Sequence, residues 1–360
     1  MQTKTPFETS GDQSGSTLKR CARWPRLRAV AWSGERLYAA RGYDLLSASI
    51  SHPCDRTSWE PVGTFDPGWV RRLSATTRLS ARLLRDGFHA LARSPNGAVV
   101  AAVAGAIVRI NPPEREFVVT HRIGRGTRPL HLTTTPDGRI YWGEYFDNPR
   151  RDEVHIYASE DAGKTWDIAY TFAKGAIRHV HNIVHDPWQN CLWVLTGDYG
   201  TECRILRASF DFSSVNPVLQ GDQQARAVAL VPMPDGLYFS SDTPLEQNYI
   251  YRLDRGGGVS RLAPICGSSI YGCQVKGRVF FSTMVEPSEV NRDRQVRIYG
   301  GSKAGWLPRL SWPKDHWSMR LFQYGNAFLP DGQNSTPYLA VSTIAVESDD
   351  MVTSLYRVDS

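Results

Sequence analysis

Five stretches of the 360-residue sequence follow one plan, and their recurrence predicts an all-β chain closed into a single β-propeller. They are GFHALARSPNGAVVAAVAG (87–105), PLHLTTTPDGRIYWGEY (129–145), HVHNIVHDPWQNCLWVLTGDY (179–199), RAVALVPMPDGLYFSSD (226–242) and a shortened YGCQVKGRVFFSTMVE (271–286). In each, a short strand runs into a turn, often Pro with Asn, Asp or Gly, and a second apolar strand follows. A third strand comes next: VHIYASE, CRILRAS, NYIYRLD or VRIYGGS. Units of this kind returning every 42–54 residues are four-stranded blades.

Counting outward places GERLYAARGYDLLSAS in an earlier blade and FQYGNAFLPDG through SLYRVDS in a last one. The total is seven, with six or eight as the alternatives. No long linker divides the chain, so one propeller domain is expected over 23–360, after a disordered polar lead-in over 1–22. The Arg-rich stretch around 70–85 has helical spacing in places and reads as an insertion.

Composition narrows the class. Apolar residues make up 41% of the chain, with 11 Trp, 15 Tyr and 13 Phe, enough for a sizeable core and too many for a disordered chain. The net charge of +6 is concentrated in GSTLKRCARWPRLR (15–28) and WVRRLSATTRLSARLLR (69–85), and a basic surface favours anionic partners. No nucleic-acid motif accompanies the charge, so nucleic acid is not expected as a partner. No run of 18 apolar residues exists, so no membrane span is expected, and the polar N-terminus lacks a secretory signal. Six dispersed cysteines (21, 54, 191, 203, 266, 273) show no CxxC or zinc-type spacing; with the missing signal they point to a reducing, cytoplasmic setting. Cys191, inside NCLWVL, reads as a small buried hydrophobe.

Between the strand-like runs VHIYA and DIAYTF lies SEDAGKTW (159–166). Asp161 accepts backbone N–H groups in a turn, and Gly163 tolerates φ > 0. The stretch resembles the Asp-box, S-x-D-x-G-x-x-W, of sialidase-like β-propellers (the BNR repeat family), with all four fixed positions matching. The resemblance implies a blade hairpin in a propeller whose relatives include sialidases, other glycosidases and non-catalytic binding propellers. Some polysaccharide lyases also use seven-bladed propellers with His and Tyr at the channel. A sialidase would carry an early R-I-P motif and an Arg triad; no R-I-P is present and only one full box, so that activity is disfavoured.

Equivalent positions of successive blades become neighbours around a propeller axis, and two rings emerge. The first is basic: His89, His131, His179 with His181, and Arg226 on or near innermost strands. His179, His181 and His185 share one side of an extended strand, but His179 and His185 would lie roughly 20 Å apart. A divalent ion such as Zn²⁺ or Mn²⁺ would therefore be held by His179 and His181 with a His of a neighbouring blade; otherwise no cofactor is expected. The second ring is acidic: Glu144, Asp198, Asp242 and Glu286 end second strands and fall 54, 44 and 44 residues apart. Converging at one mouth, they would pair with Arg226 or act as acid and base. Trp142, Tyr145, Tyr199, Tyr249 and Tyr271 accompany the rings, and aromatic faces beside His, Arg and carboxylates suit a sugar.

These readings lead to a carbohydrate-active propeller working at the channel mouth on an acidic or microbial polysaccharide or oligosaccharide, as a glycoside hydrolase or a polysaccharide lyase. In a lyase, His181, Tyr145 and Arg226 are expected as base, acid and carboxylate clamp, with His131, His179, Tyr199, Tyr249 and Trp142 binding the chain. In a glycosidase, two of the four carboxylates flank the bond. The alternative is a non-catalytic propeller that binds a glycan or a protein on the same face.

Overall fold

The computed structural model describes residues 18–51, 57–75, 77–84 and 86–359. Seven antiparallel blades form a ring, so the expected architecture and blade number hold. Blade 1 comprises Arg28–Gly34, Arg36–Arg41, Asp44–Ser49 and Glu60–Thr64, from axis to rim, and blade 2 Ala90–Arg93, Val99–Val103, Ala106–Ile110 and Val118–Arg122. Blade 3 holds Thr133–Thr134, Ile140–Gly143, Val154–Ser159 and Asp167–Phe172; blade 4 holds Val180–Asp186, Cys191–Thr196, Arg204–Ala208 and Val215–Gln220. Blade 5 runs Ala227–Met233, Gly236–Ser241, Asn248–Leu253 and Val259–Ile265, and blade 6 Tyr271–Val275, Arg278–Ser282, Gln295–Ser302 and Gly305–Pro313. Blade 7 takes Asn326–Phe328, Tyr338–Ile344 and Val352–Arg357 from the end of the chain and Lys19–Pro25 from its beginning.

That N-terminal strand corrects the expected lead-in over 1–22. Residues 1–17 lie outside the described part, but Lys19–Ala22 belong to a paired strand that runs from Lys19↔Arg357 to Pro25↔Val352, with one register shift between Arg20 and Ala22. Its charged side chains suit an outermost edge, and Arg20 and Arg23 both reach Asp349, each at 2.8 Å. A ring whose last blade is completed by its first strand cannot open without unzipping a sheet. One further strand, Asp331–Asn334, pairs in parallel with the innermost strand of blade 1 and brings Asp331 towards the axis.

The core lies between blades. Seven apolar clusters occupy the seven interfaces, as with Tyr141, Val154, Ile183 and Leu192 between blades 3 and 4. Middle strands are covered on both faces, which is why VVAAV (99–103) is buried throughout and reads as a continuous apolar run.

SEDAGKTW forms the expected hairpin between the third and fourth strands of blade 3. Asp161 accepts the backbone N–H groups of Lys164 and Thr165, both at 2.9 Å, and the Ser159 hydroxyl at 2.8 Å. Burial alone would raise this carboxyl; the hydrogen bonds from Thr165, Ser159 and Lys164 outweigh it and bring it down to about 2. The turn also clasps blade 2: Arg109 donates to the Ala162 carbonyl at 2.9 Å, and Trp166 donates to Thr120 at 3.2 Å. Gly163, at φ +82°, sits so close that a Cβ would stand 2.4 Å from Val100. Blade 4 repeats the turn in a form the sequence pattern hides: Asp211 accepts from Ser209 and Ser213, with Ser213 where the glycine would be.

The Arg-rich insertion folds as two short helices, Trp69–Ser74 and Arg78–Leu84. The second is anchored by Arg82, fully buried, which pairs with Asp315 and lies 4.2 Å over the Trp317 ring. No disulfide links the described cysteines, and Cys191 is buried as expected; Cys54 lies outside the described residues. No described helix is long and apolar enough to cross a membrane.

Candidate functional site

Antiparallel strands alternate direction, so the connectors between blades and the loops joining second to third strands all fall on one side of the ring. Asp198, Asp242, Glu286, His179 and Arg226 are placed there by the fold. His179 directly precedes the innermost strand of blade 4 and His181 is its second residue. On a regular strand two such side chains project roughly 6.6 Å apart. The pairing of this strand shifts register between Val180 and Asn182, a bulge that turns the two rings together, centroids 4.9 Å apart.

Both imidazoles are oriented by backbone carbonyls of neighbouring blades. His179 Nδ1 lies 3.0 Å from the Phe146 oxygen and His181 Nδ1 2.9 Å from the Ala227 oxygen. A carbonyl only accepts, so each Nδ1 carries the hydrogen. The two Nε2 atoms then face one another at 3.0 Å, with Asp198 Oδ1 at 3.5 Å from His179 and 3.4 Å from His181. Arg226 approaches the same oxygen at 3.2 Å and Asp242 at 3.6 Å, while Arg178 reaches Asp198 Oδ2 at 3.4 Å and also pairs with Asp147. Tyr145 packs on His179, ring centroids 4.3 Å apart. Among the described residues, the side chains of Arg178 and Arg226 each keep a buried Nε without a partner, as does Asp242 its Oδ1.

The charges divide the acids into distinct states. Burial would raise the Asp198 carboxyl, but the hydrogen bonds and charge of the two histidines, with Arg226, hold it well below the usual carboxylate range. Asp242 is pushed up to about 6, chiefly by burial, against the pull of Arg226 and with help from Glu286. Burial likewise raises Glu286, which accepts from Ser268. His181 is lowered by burial, and Tyr145 rises to about 12 through burial and the charges of Asp242 and Asp198. Burial would depress Arg226, but the surrounding carboxylates raise it.

Not every expected residue joins this cluster. Glu144 is held by Arg125, through Nε at 3.0 Å and a second close contact, and by the His155 N–H at 2.8 Å, so the acidic ring has three members at the mouth instead of four. Trp142 is buried between blades 2 and 3, stacked on Tyr157 at 4.3 Å. Tyr249 lies under Arg261, whose guanidinium is 4.6 Å above it, on the outer side of blade 5. Tyr199 is half-exposed at the rim with Arg178 5.8 Å from its ring. His131 belongs to a second axial group, 2.9 Å from Asp331, beside Tyr271. There Arg28 donates to the carbonyls of Phe88 and His89 and covers Phe328 at 4.2 Å. The third group beside His179 and His181 is therefore a carboxylate of the same blade, where a neighbouring histidine was expected. Arg178 was missed; its place directly before His179 in RHVH was the available signal.

No family model matches the chain, and no curated protein matches it, so the sialidase-like resemblance rests on the Asp-box turn alone. Solved structures match over the full length. A chain of a crystal structure of a mitotic checkpoint complex is 11% identical with TM-score 0.59, covering all of both chains. The WD40 β-propeller domain of Doa1 is 12% identical with TM-score 0.58, covering 96% of this chain and 98% of that one. At such identity these matches establish the propeller fold and nothing further.

Proposed function

We propose that the chain acts on an acidic saccharide at the axial mouth of the connector face, by elimination at a uronate. The observation that carries this reading is the convergence there of Arg178 and Arg226 with Asp242 and Tyr145, with a buried Nε on each arginine and Asp242 Oδ1 lacking partners. Buried polar atoms without partners cost about 1–3 kcal/mol each; a bound uronate would relieve them, its carboxylate accepting from the arginines and a hydroxyl donating to Asp242 Oδ1. A uronate carboxylate set against the guanidinium groups has its charge neutralised, which acidifies the α proton. Asp242, titrating at about 6, is ionised at neutral pH and takes that proton. The β C–O bond breaks, and the departing oxygen takes a proton from the Tyr145 phenol, which keeps its own up to about 12.

Asp242 replaces His181 as the base here, because both ring nitrogens of His181 face protein groups. Hydrolysis by two carboxylates is less well supported: Asp198 is clamped by two arginines, Glu286 is bonded to Ser268 and Glu144 lies outside the cluster. A second reading, a non-catalytic binding propeller, is favoured by the structural neighbours, a chain of a mitotic checkpoint complex and the WD40 β-propeller domain of Doa1.

The test is incubation with a panel of acidic and neutral polysaccharides, followed by reducing ends and absorbance near 235 nm, where unsaturated uronates absorb. Elimination predicts both signals with the wild type, their loss in Asp242→Asn with binding retained, and loss of binding in Arg226→Met. Reducing ends without the absorbance would replace elimination by hydrolysis. Binding without products would support the non-catalytic reading.

A further inference from the structure

The geometry points to a divalent metal site, of the zinc class, formed by His179 Nε2, His181 Nε2 and Asp198 Oδ1. It deepens the functional reading above, since the metal would occupy the same mouth. Three observations carry it. First, the two Nδ1–H groups are committed to the Phe146 and Ala227 carbonyls, so in the neutral rings both Nε2 lone pairs point into one space. An ionised carboxylate oxygen points there too, and among the described residues no donor reaches either Nε2. Arg226 meets only the carboxylate oxygen of the three, at 3.2 Å, and two neutral Nε2 lone pairs repel each other and that oxygen unless a cation lies among them.

Second, the separations fit a metal better than a shared proton. The three donor atoms lie 3.0, 3.4 and 3.5 Å apart. Ligand atoms at 2.0–2.1 Å from a tetrahedral zinc lie about 3.3 Å from one another. A proton would serve the 3.0 Å contact alone and leave both contacts to Asp198 too long for strong hydrogen bonds. Third, an imidazole whose far N–H is held by a carbonyl is the arrangement that orients metal-binding histidines, and here both have it. Two histidines and one aspartate leave a coordination position open, the pattern of catalytic zinc. Asp198, Asp242 and Glu286 stand against Arg178 and Arg226, so the cluster supplies negative charge to receive the ion.

The experiment uses the full chain, stripped with chelator and titrated with Zn²⁺ alone, reading metal per chain by mass spectrometry and melting temperature. The expected result is one zinc per chain, with a melting temperature raised by about 3–4 °C at a hundredfold excess over Kd. His179→Gln and Asp198→Asn should each reduce bound zinc to background, while His131→Gln, in the other axial group, should retain it. Co²⁺ substitution gives a readout independent of stability: visible absorption of tetrahedral intensity in the wild type, absent in His179→Gln. No stoichiometric zinc in the wild type, or full retention in folded His179→Gln, would overturn the inference. Saccharide turnover by wild-type protein that takes up no stoichiometric zinc would sink the metal and spare the functional reading. Stoichiometric zinc with silence on every saccharide would do the reverse.

Discussion

Replacing Asp242 by Asn should stabilise the protein at neutral pH and leave it nearly unchanged in mild acid. The residue is 5% exposed, and its carboxyl is raised from 3.8 to about 6, chiefly by burial. At about 1.36 kcal/mol per pH unit, ionising it in the fold costs about 3 kcal/mol relative to the unfolded chain. A raised acid favours the protonated form. Its stabilising contribution is therefore complete below the unfolded value near 3.8 and is lost as pH rises through about 6. Asparagine keeps a neutral side chain of the same shape at every pH. Asp242→Asn should match the wild type near pH 4 and exceed it by up to about 3 kcal/mol above pH 7, or about 4 °C in melting temperature for a chain of this length. Urea unfolding of both proteins at pH 4, 5, 6 and 7.5 measures the difference. A gap that does not change with pH would refute the reasoning, as would a variant less stable than the wild type at pH 7.5.

Other consequences concern the scaffold and the boundaries of the site. Asp161→Ala removes the acceptor of two backbone N–H groups and should cost about 1 kcal/mol after allowance for solvent screening. Because that carboxyl is lowered to about 2, the cost should be present at neutral pH and shrink as pH falls below about 4, which unfolding at pH 7 and pH 2.5 would reveal. Glu144→Gln should lower stability by about 2 kcal/mol in urea unfolding through loss of the Arg125 pair, yet leave saccharide binding unchanged. Arg82→Ala should free the helical insertion, read as faster limited proteolysis within 69–84 at unchanged zinc content.

Blade number and strand order were legible because each blade repeats one apolar strand pair with its turn. The Asp-box turn was legible because its chemistry is local to eight residues. Legibility ended where distant segments decide. Lys19–Pro25 reads as a basic, polar stretch, and only closure against Val352–Arg357 makes it a strand. Glu144 occupies the same position in its loop as Asp198 does in the next blade, but Arg125 from the preceding connector captures it. Trp142 alternates away from the mouth into the interface with blade 2, where Tyr157 stacks on it. The bulge at Val180 to Asn182 leaves no mark in the residue pattern, so His179 and His181 were expected on one face without the convergence of their Nε2 atoms on Asp198.

The most direct test of the account is a binding titration of uronate oligosaccharides against wild type, Arg226→Met and Glu144→Gln at pH 7.5. A ligand held at the axial mouth predicts wild-type affinity in Glu144→Gln and a loss of at least about tenfold in Arg226→Met, the effect of removing one charge-assisted contact. Equal affinity in Arg226→Met and the wild type would contradict it and move the site away from the His179, His181 and Asp198 cluster.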